Sequence, residues 1–292
     1  KKRSNLKTKK IKSNLKTYKV MGTLTHNSDI FVSYLDIKNN CQIYNIASAQ
    51  INFDNLLFKK VFTSQACGSN LNAGRMSAYT HNGKNGLLAT VGGEKINQPT
   101  DEPQNPSSDI GKILFIDLES NKKIIYSSGH RNPQGLLVDN NRIIATEHGP
   151  EGGDEINIIK KGKNYGWPIS SYGNHYSHLK KKKEKVYLKS HSSSGFVEPI
   201  YSFVPSIGIS QIIKVPKDFS SDWQDNYLLA SLNGASLYRI KFNDTFSGIT
   251  YLEKIFINRR VRDMKYSKKH KAFIMALEDW QEIGILKPVP KY

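Results

Sequence analysis

The chain has 292 residues and a formal net charge of +18 at pH 7, with Lys and Arg numbering 43 against 25 acids. That length fits one large domain or two small ones, and no apolar run approaches the roughly 18 residues of a membrane-spanning helix. The charge gathers in two runs, Lys1 to Lys19 and Lys180 to Lys185. Neither run is interleaved with the aromatic side chains of a base-stacking groove, so no nucleic-acid partner is expected.

In chain order, the pattern Ser-Asn-Leu-Lys-Thr occurs twice, at positions 4–8 and 13–17. Residues 1–20 read as a basic segment, either a short hairpin or a solvated arm. A single domain is expected over 21–292. Strand candidates with turn residues between them follow: Asp29–Leu35, Cys41–Phe53, Leu57–Thr63, Gly86–Val91, Lys112–Leu118, Lys123–Ser127 and Arg142–Thr146. The series continues through Glu155–Ile159, Ile209–Val215, Tyr227–Ser231, Leu237–Phe242, Ile249–Phe256, Val261–Tyr266 and Ala272–Ala276. No amphipathic helix of ten or more residues is visible.

A weak repeat runs through the series. The stretches starting at Arg75, Gly135 and Val261 each read as strand, polar turn, strand. The inner half of a propeller blade has this form. Four strands and some 40–55 residues per blade give five or six blades for an all-β chain of this length. A β-sandwich is the competing architecture, although it is rarely so long as one domain. Cys41 and Cys67 lack the spacing of a zinc site. They are inert thiols in the cytosol or one disulfide in an exported protein. The chain begins with Lys and carries no signal sequence of its own, which leaves an earlier cleaved leader open.

Three groups of residues carry chemistry. Gly129 to Leu136 contains Arg131 and Asn132 just before Pro133, and therefore in extended or turn geometry. Arg131 offers a planar fork for a carboxylate or quinone oxygen, or for a structural acid. Glu147 to Glu155 mixes Gly and Pro carbonyls with acids, a set of oxygen ligands suited to Ca²⁺ or a capped surface loop. Arg260 and Arg262 alternate along a strand and so share a face, either as an anion clamp in the channel or as a charged edge.

Gly129 to Leu136, Glu147 to Asn157 and Asn164 to Pro168, in this order and spacing, resemble the PQQ-dependent soluble glucose and aldose sugar dehydrogenases. The resemblance covers about two-thirds of the chain. It implies a six-bladed β-propeller with PQQ and Ca²⁺ at the channel mouth. There a sugar C1–H is oxidised by hydride transfer to the quinone, with a His as general base. It also implies a periplasmic or secreted protein whose ligand is a sugar or small anion. Position by position, Arg131, Asn132, Arg260 and Arg262 match cofactor contacts. Gly149 and Pro150 match ligands of the cofactor's Ca²⁺, and Glu155 and Tyr165 match a second Ca²⁺ site.

The departures are as specific. The family's catalytic His falls at Leu71 and its acidic partner at Gly93, while a PQQ-contacting Lys falls at Asn233. His81 and Glu94 are the nearest substitutes in sequence. The family also carries about one further blade before the segment matching Asp29 to Thr63, so either that blade is missing or residues 1–20 help close the ring. Two functions follow: a divergent dehydrogenase, or a propeller that binds a saccharide, an anion or a protein without redox turnover.

Overall fold

The computed structural model describes residues 8–93, 100–176, 186–279 and 282–288. The chain is an all-β propeller. Strand β1 (Lys12–Ser13) precedes the first blade, formed by β2 (Lys19–His26), β3 (Asp29–Lys38), β4 (Cys41–Gln50) and β6 (Lys59–Gly68). Between the last two, β5 (Asn55–Leu56) pairs with β1 in parallel. The second blade is β7 (Leu71–His81), β8 (Lys84–Gly93), β9 (Lys112–Asp117) and β10 (Lys123–Ser128). The third begins with β11 (Pro133–Asp139), β12 (Arg142–Glu147) and β13 (Asp154–Ile159). Strand β14 (Lys163–Asn164) returns to the outer edge of the second blade, and β15 (Tyr201–Phe203) completes the third. The fourth blade is β16 (Ile209–Lys214), β17 (Tyr227–Ser231), β18 (Ser236–Phe242) and β19 (Ile249–Phe256). The fifth has β20 (Val261–Ser267), β21 (Ala272–Leu277) and β22 (Glu282–Leu286). No described helix is long and apolar enough to cross a membrane.

The abundance of Asn has a local use. Asn39 and Asn40, Asn82 and Gly83, and Asn140 and Asn141 all take positive φ at hairpin turns. Tight antiparallel hairpins need this backbone, and Asn and Gly adopt it at least cost. Between the turns, alternate apolar side chains bury against the next blade.

Four apolar cores lie between successive blades. Leu35, Ile46, Leu87 and Leu114 join the first to the second, and Leu88, Phe115, Leu136 and Ile143 join the second to the third. Ile144, Ile209, Leu229 and Ile240 come next, then Leu228, Leu237, Met264 and Phe273. Each fully buried Leu or Ile contributes about 1.5–3 kcal/mol. The outer face of the first blade, with Val32, Tyr34 and Ala47, is instead covered by Leu15 and Phe58 of the same chain. On the fifth blade, Ile274, Ile283 and Ile285 remain exposed.

Among the described residues, five blades share four cores. Ahead of β2 the described chain supplies only a two-residue ladder, too short to make a blade. Residues 8–18 lie against the first blade instead of forming a hairpin or arm, and Lys19 and Val20 open its first strand. Cys41 and Cys67 are bonded, with Cα atoms 5.6 Å apart, tying β4 to β6. The run Lys180 to Lys185 lies outside the described residues.

Candidate functional site

Inner strands β2, β7, β11, β16 and β20 stand side by side around the channel. Arg75 of β7 crosses it. Its Nη1 donates to Asp263 Oδ2 at 2.6 Å, its Nη2 to the Arg262 carbonyl at 2.8 Å and its Nε to the Gln134 carbonyl at 2.7 Å. The second, third and fifth blades are thus clasped by one guanidinium that is almost wholly buried.

A cavity of about 300 Å³ lies among the loops at one end, bordered by Asn70, Asn72, Arg131, Asn132, His148, Gly149, Pro150, Tyr176 and Ser206. Arg131 follows a sharp turn at Gly129, where φ is +73°. A Cβ at Gly129 would collide with Asn164 and the backbone of Tyr165 and Gly166. Beside it, His130 stacks on Tyr165 at 4.7 Å and bonds Ser127 Oγ at 2.8 Å. The Arg131 guanidinium donates to the carbonyls of His148 (3.1 Å) and Gly149 (2.9 Å) and to the Tyr176 hydroxyl (3.2 Å), and lies over the Trp167 ring at 5.3 Å. Asn132 accepts from Gln134 Nε2 at 2.6 Å.

The same wall is fixed by Asp154, which is fully buried. Its carboxylate accepts from the Gly149 N–H at 3.1 Å, the Ile207 N–H at 3.1 Å, the Ile209 N–H at 2.9 Å and the Ser206 hydroxyl. Asp154 thereby fixes the Gly149–Pro150 turn against the segment after Pro205. Burial pushes the His148 imidazole below its ordinary value. Asp154 opposes this, while Arg131 and Arg262 add to it.

The other expected residues are distributed unevenly. Arg262 donates to Gln134 Oε1 at 3.2 Å and to Glu278 Oε1 at 2.6 Å, one side chain away from Asn132. Arg260 precedes β20 and is held at the rim by Glu278 Oε2 at 3.0 Å, outside the residues that line the cavity. Both guanidiniums therefore meet the same carboxylate, on one side as alternation places them, and neither borders the cavity. Burial would raise the Glu278 carboxyl, but Arg262 and Arg260 hold it below the usual range. Asn233 is exposed in the β17–β18 turn.

Glu155 and Tyr165 do meet, across His191. The Tyr165 hydroxyl is spent elsewhere, donating to the Ile158 carbonyl at 2.6 Å and accepting from the Lys160 N–H at 2.9 Å. Its carbonyl faces His191 Nδ1 at 3.0 Å, while His191 Nε2 stands 3.2 Å from Glu155 Oε1. Burial works against the His191 cation, but the bond to Glu155 and the charges of Glu155 and Glu198 carry its pKa above the ordinary value.

Leu71 and Gly93 pair directly across β7 and β8. Leu71 is 3% exposed and packs into the core between the first two blades. A Cβ at residue 93 would meet Leu71 Cδ2 at 3.0 Å and Ile110 Cγ2 at 2.9 Å, so the missing side chain at one position makes room for the leucine at the other. The two line a second cavity of about 290 Å³ with Cys41, Cys67, Glu102 and Ile110, and Asn70 borders both cavities. His81 lies at the far end of β7, ten residues and about 33 Å from Leu71 at strand rise. It packs there against Phe115 at 5.3 Å and Tyr126 at 5.6 Å, far from the position that matches the family's base. Glu94 lies outside the described residues.

Whether these residues suit a quinone and a cation can be judged from their chemistry. Asn72 Oδ1, in the cavity lining, is buried with no hydrogen-bond partner among the described residues. A buried polar atom of this kind is costly unless a ligand satisfies it. As an acceptor it suits a ligand hydroxyl or N–H, while Arg131 and Asn132 beside it carry donors for ligand oxygens. Among the described residues no cluster of three or more His, Cys, Asp or Glu stands at metal-binding distance. A hard cation here would rest on backbone carbonyls and on the ligand itself.

Residues 13–287 match the family model described as glucose / sorbosone dehydrogenase. The chain is 29% identical over 201 residues to aldose sugar dehydrogenase YliI of Escherichia coli (strain K12), covering 68% of this chain and 51% of that protein. It is 30% identical over 161 residues to quinoprotein glucose dehydrogenase B of Acinetobacter calcoaceticus, covering 49% of this chain and 31% of that one. The chain thus spans about half, or less, of these relatives' length. A crystal structure of glucose dehydrogenase superposes with a TM-score of 0.83 at 21% identity, over 97% of this chain and 88% of the other, and shares the fold.

Proposed function

The chain belongs to the glucose/sorbosone dehydrogenase family, and we propose that its cavity at Arg131 binds a small oxygen-rich ligand without oxidising a sugar at the family's rate. The ligand classes are those of the family: PQQ with Ca²⁺, and a saccharide or small anion. When bound, such a quinone with its cation supplies a hydride acceptor. Arg131 and Asn132 would hold its oxygens, Asn72 Oδ1 would accept from a hydroxyl or N–H of the ligand, and Gly149 and Pro150 would offer carbonyls to the cation.

One observation carries the reading. The place of the family's general base and its acidic partner is an apolar plug of Leu71 and Ile110 packed over Gly93. No atom in that plug accepts a proton, and loss of a general base costs about 10²–10⁴ in rate. The second reading, PQQ-dependent oxidation of an aldose at C1, is favoured by the polar wall at Arg131 and Asn132. Adding PQQ and Ca²⁺, then measuring binding by quenching of Trp fluorescence and turnover by sugar-dependent dye reduction, separates the two. Binding with little turnover is expected. Fast aldose-dependent reduction would establish the second reading in its place.

The same proposal keeps the family's six-bladed ring as the arrangement of the whole protein. It also places the protein outside the cytosol, periplasmic or secreted. The bonded Cys41 and Cys67 support this, since disulfides persist in oxidising compartments. A change in gel mobility on reduction of the native protein is expected, and free thiols in freshly isolated protein would contradict it.

A further inference from the structure

The structure sets one imidazole between the two residues that the family resemblance pairs as ligands of a second cation. His191 is 1% exposed. Its Nε2 stands 3.2 Å from Glu155 Oε1. Its Nδ1 stands 3.0 Å from the Tyr165 carbonyl and 3.0 Å from Ser170 Oγ. A carbonyl only accepts, so Nδ1 carries its hydrogen toward Tyr165. The other Glu155 oxygen accepts from Asn157 Nδ2 at 3.1 Å.

A calcium ion needs six to eight oxygens at about 2.3–2.6 Å. Here the carboxylate and the carbonyl already face ring nitrogens. The space left beside them is a cavity of about 10 Å³, room for about one water. Gly166, with φ at +90°, keeps the ring's place open: a Cβ there would stand 3.0 Å from His191 Nδ1 and collide with Ser170 Oγ.

We infer that His191 occupies the position of that second cation, so the Glu155–Tyr165 site is closed to calcium in this chain. The ring joins three segments that an ion would otherwise join: β13 through Glu155, the turn after β14 through Tyr165 and Ser170, and its own turn before Phe196. That middle turn carries Trp167, the ring under the Arg131 guanidinium. The polar wall of the main cavity is therefore braced by a side chain, independently of whether Gly149 and Pro150 take a cation.

Calcium bound per folded chain, measured by equilibrium dialysis on the purified protein, tests this with Glu155→Gln, His191→Ala and the double variant. Wild type and Glu155→Gln are expected to bind equal amounts, either none or the equivalent belonging to Gly149 and Pro150. His191→Ala is expected to gain about one equivalent and a calcium-dependent rise in melting temperature, as binding to the native state alone requires. Both gains should vanish in the double variant. Loss of one equivalent from wild type on Glu155→Gln overturns the inference, as does a folded His191→Ala that gains none. If His191→Ala does not fold, the comparison of wild type with Glu155→Gln decides alone. Absence of all calcium from wild type would count against the cation at Gly149 and Pro150 and leave this inference standing.

Discussion

The two sides of the cavity region are built in different ways. On the third-blade side, Arg131, Asn132, Gly149 and Asp154 form a dense set of hydrogen bonds from one stretch of chain. On the side of the first two blades, Leu71 and Gly93 face each other across a ladder and pack against Ile110. A hydrogen-bonded loop resists change one residue at a time, because each loss leaves a buried partner unsatisfied. A pair on opposed strands exchanges size as a unit, with the leucine filling the volume that the glycine vacates. The comparison teaches that the hydrogen-bonded wall and the apolar pair are held by separate contacts and can be altered one without the other.

The strongest way to break the contrast is to put polar chemistry back into the apolar side. Leu71→His with Gly93→Asp is expected to raise sugar-dependent dye reduction, in the presence of PQQ and Ca²⁺, by about 10²–10⁴. The reverse control keeps Leu71 and changes Gly93 alone. It should lose stability, since an added Cβ meets Leu71 and Ile110 within about 3 Å. No gain in a folded double variant would show that the polar side no longer positions a reactive ligand.

Next in size is the clasp beneath both sides. Removing Arg75 strands the Asp263 carboxylate, whose side chain is 22% exposed, and frees the carbonyls of Gln134 and Arg262. Breaking a buried pair costs about 3–5 kcal/mol. Arg75→Ala should lower denaturant stability by that order, and Arg75→Lys should recover little because a single ammonium does not reproduce the fork. A loss below about 1 kcal/mol, the level of a surface pair, would mean the inner strands hold without the clasp.

How much of this was readable beforehand follows from sequence distance. The strands were legible where β-branched runs meet Asn turns, as at Arg142–Glu147. Strand β2 was not, because Lys19–His26 carries only Val20, Met21 and Leu24 among polar residues. The wall around Arg131 was legible because its groups lie close together in one stretch of chain. Asp154 sits in that same stretch, yet its part in fixing Gly149 requires knowing that the segment after Pro205 folds back onto it. Arg75 and Asp263 meet 188 residues apart, and nothing in either neighbourhood announces the pairing. Arg260 and Arg262 share a side as alternation suggests, but the acid they meet there, Glu278 after β21, lies outside their own stretch of sequence. His191 stands in a Ser-rich stretch with no pattern to mark it.

A smaller effect should separate positioning from packing on the polar side. Asp154→Asn keeps the volume but replaces a carboxylate that accepts from three backbone N–H groups and the Ser206 hydroxyl. Hydrogen bonds to a charged acceptor are worth about 1.5–3 kcal/mol, so a stability loss of that order is expected, with weaker PQQ binding than Arg75→Lys shows. If binding falls no more than stability predicts, Asp154 serves the fold alone.

The smallest effect concerns the turn that carries His191. Burial would raise Glu198, but the Ser192 N–H at 2.7 Å and the Tyr172 hydroxyl at 2.7 Å bring it down to about 2. A carboxyl with a lowered folded pKa adds stability that is fully present above its unfolded value of about 4.5. That stability is lost as pH falls through the folded value, because the unfolded chain then binds more protons. Between pH 4.5 and 2, wild type should therefore lose stability that Glu198→Gln lacks at every pH. The site is open to solvent, so the difference is discounted to about 1 kcal/mol or less. Melting curves of the two proteins should converge toward pH 2. Parallel curves over that interval would mean that Glu198 does not anchor the turn, and that the bracing of the polar wall runs through His191 and Glu155 alone.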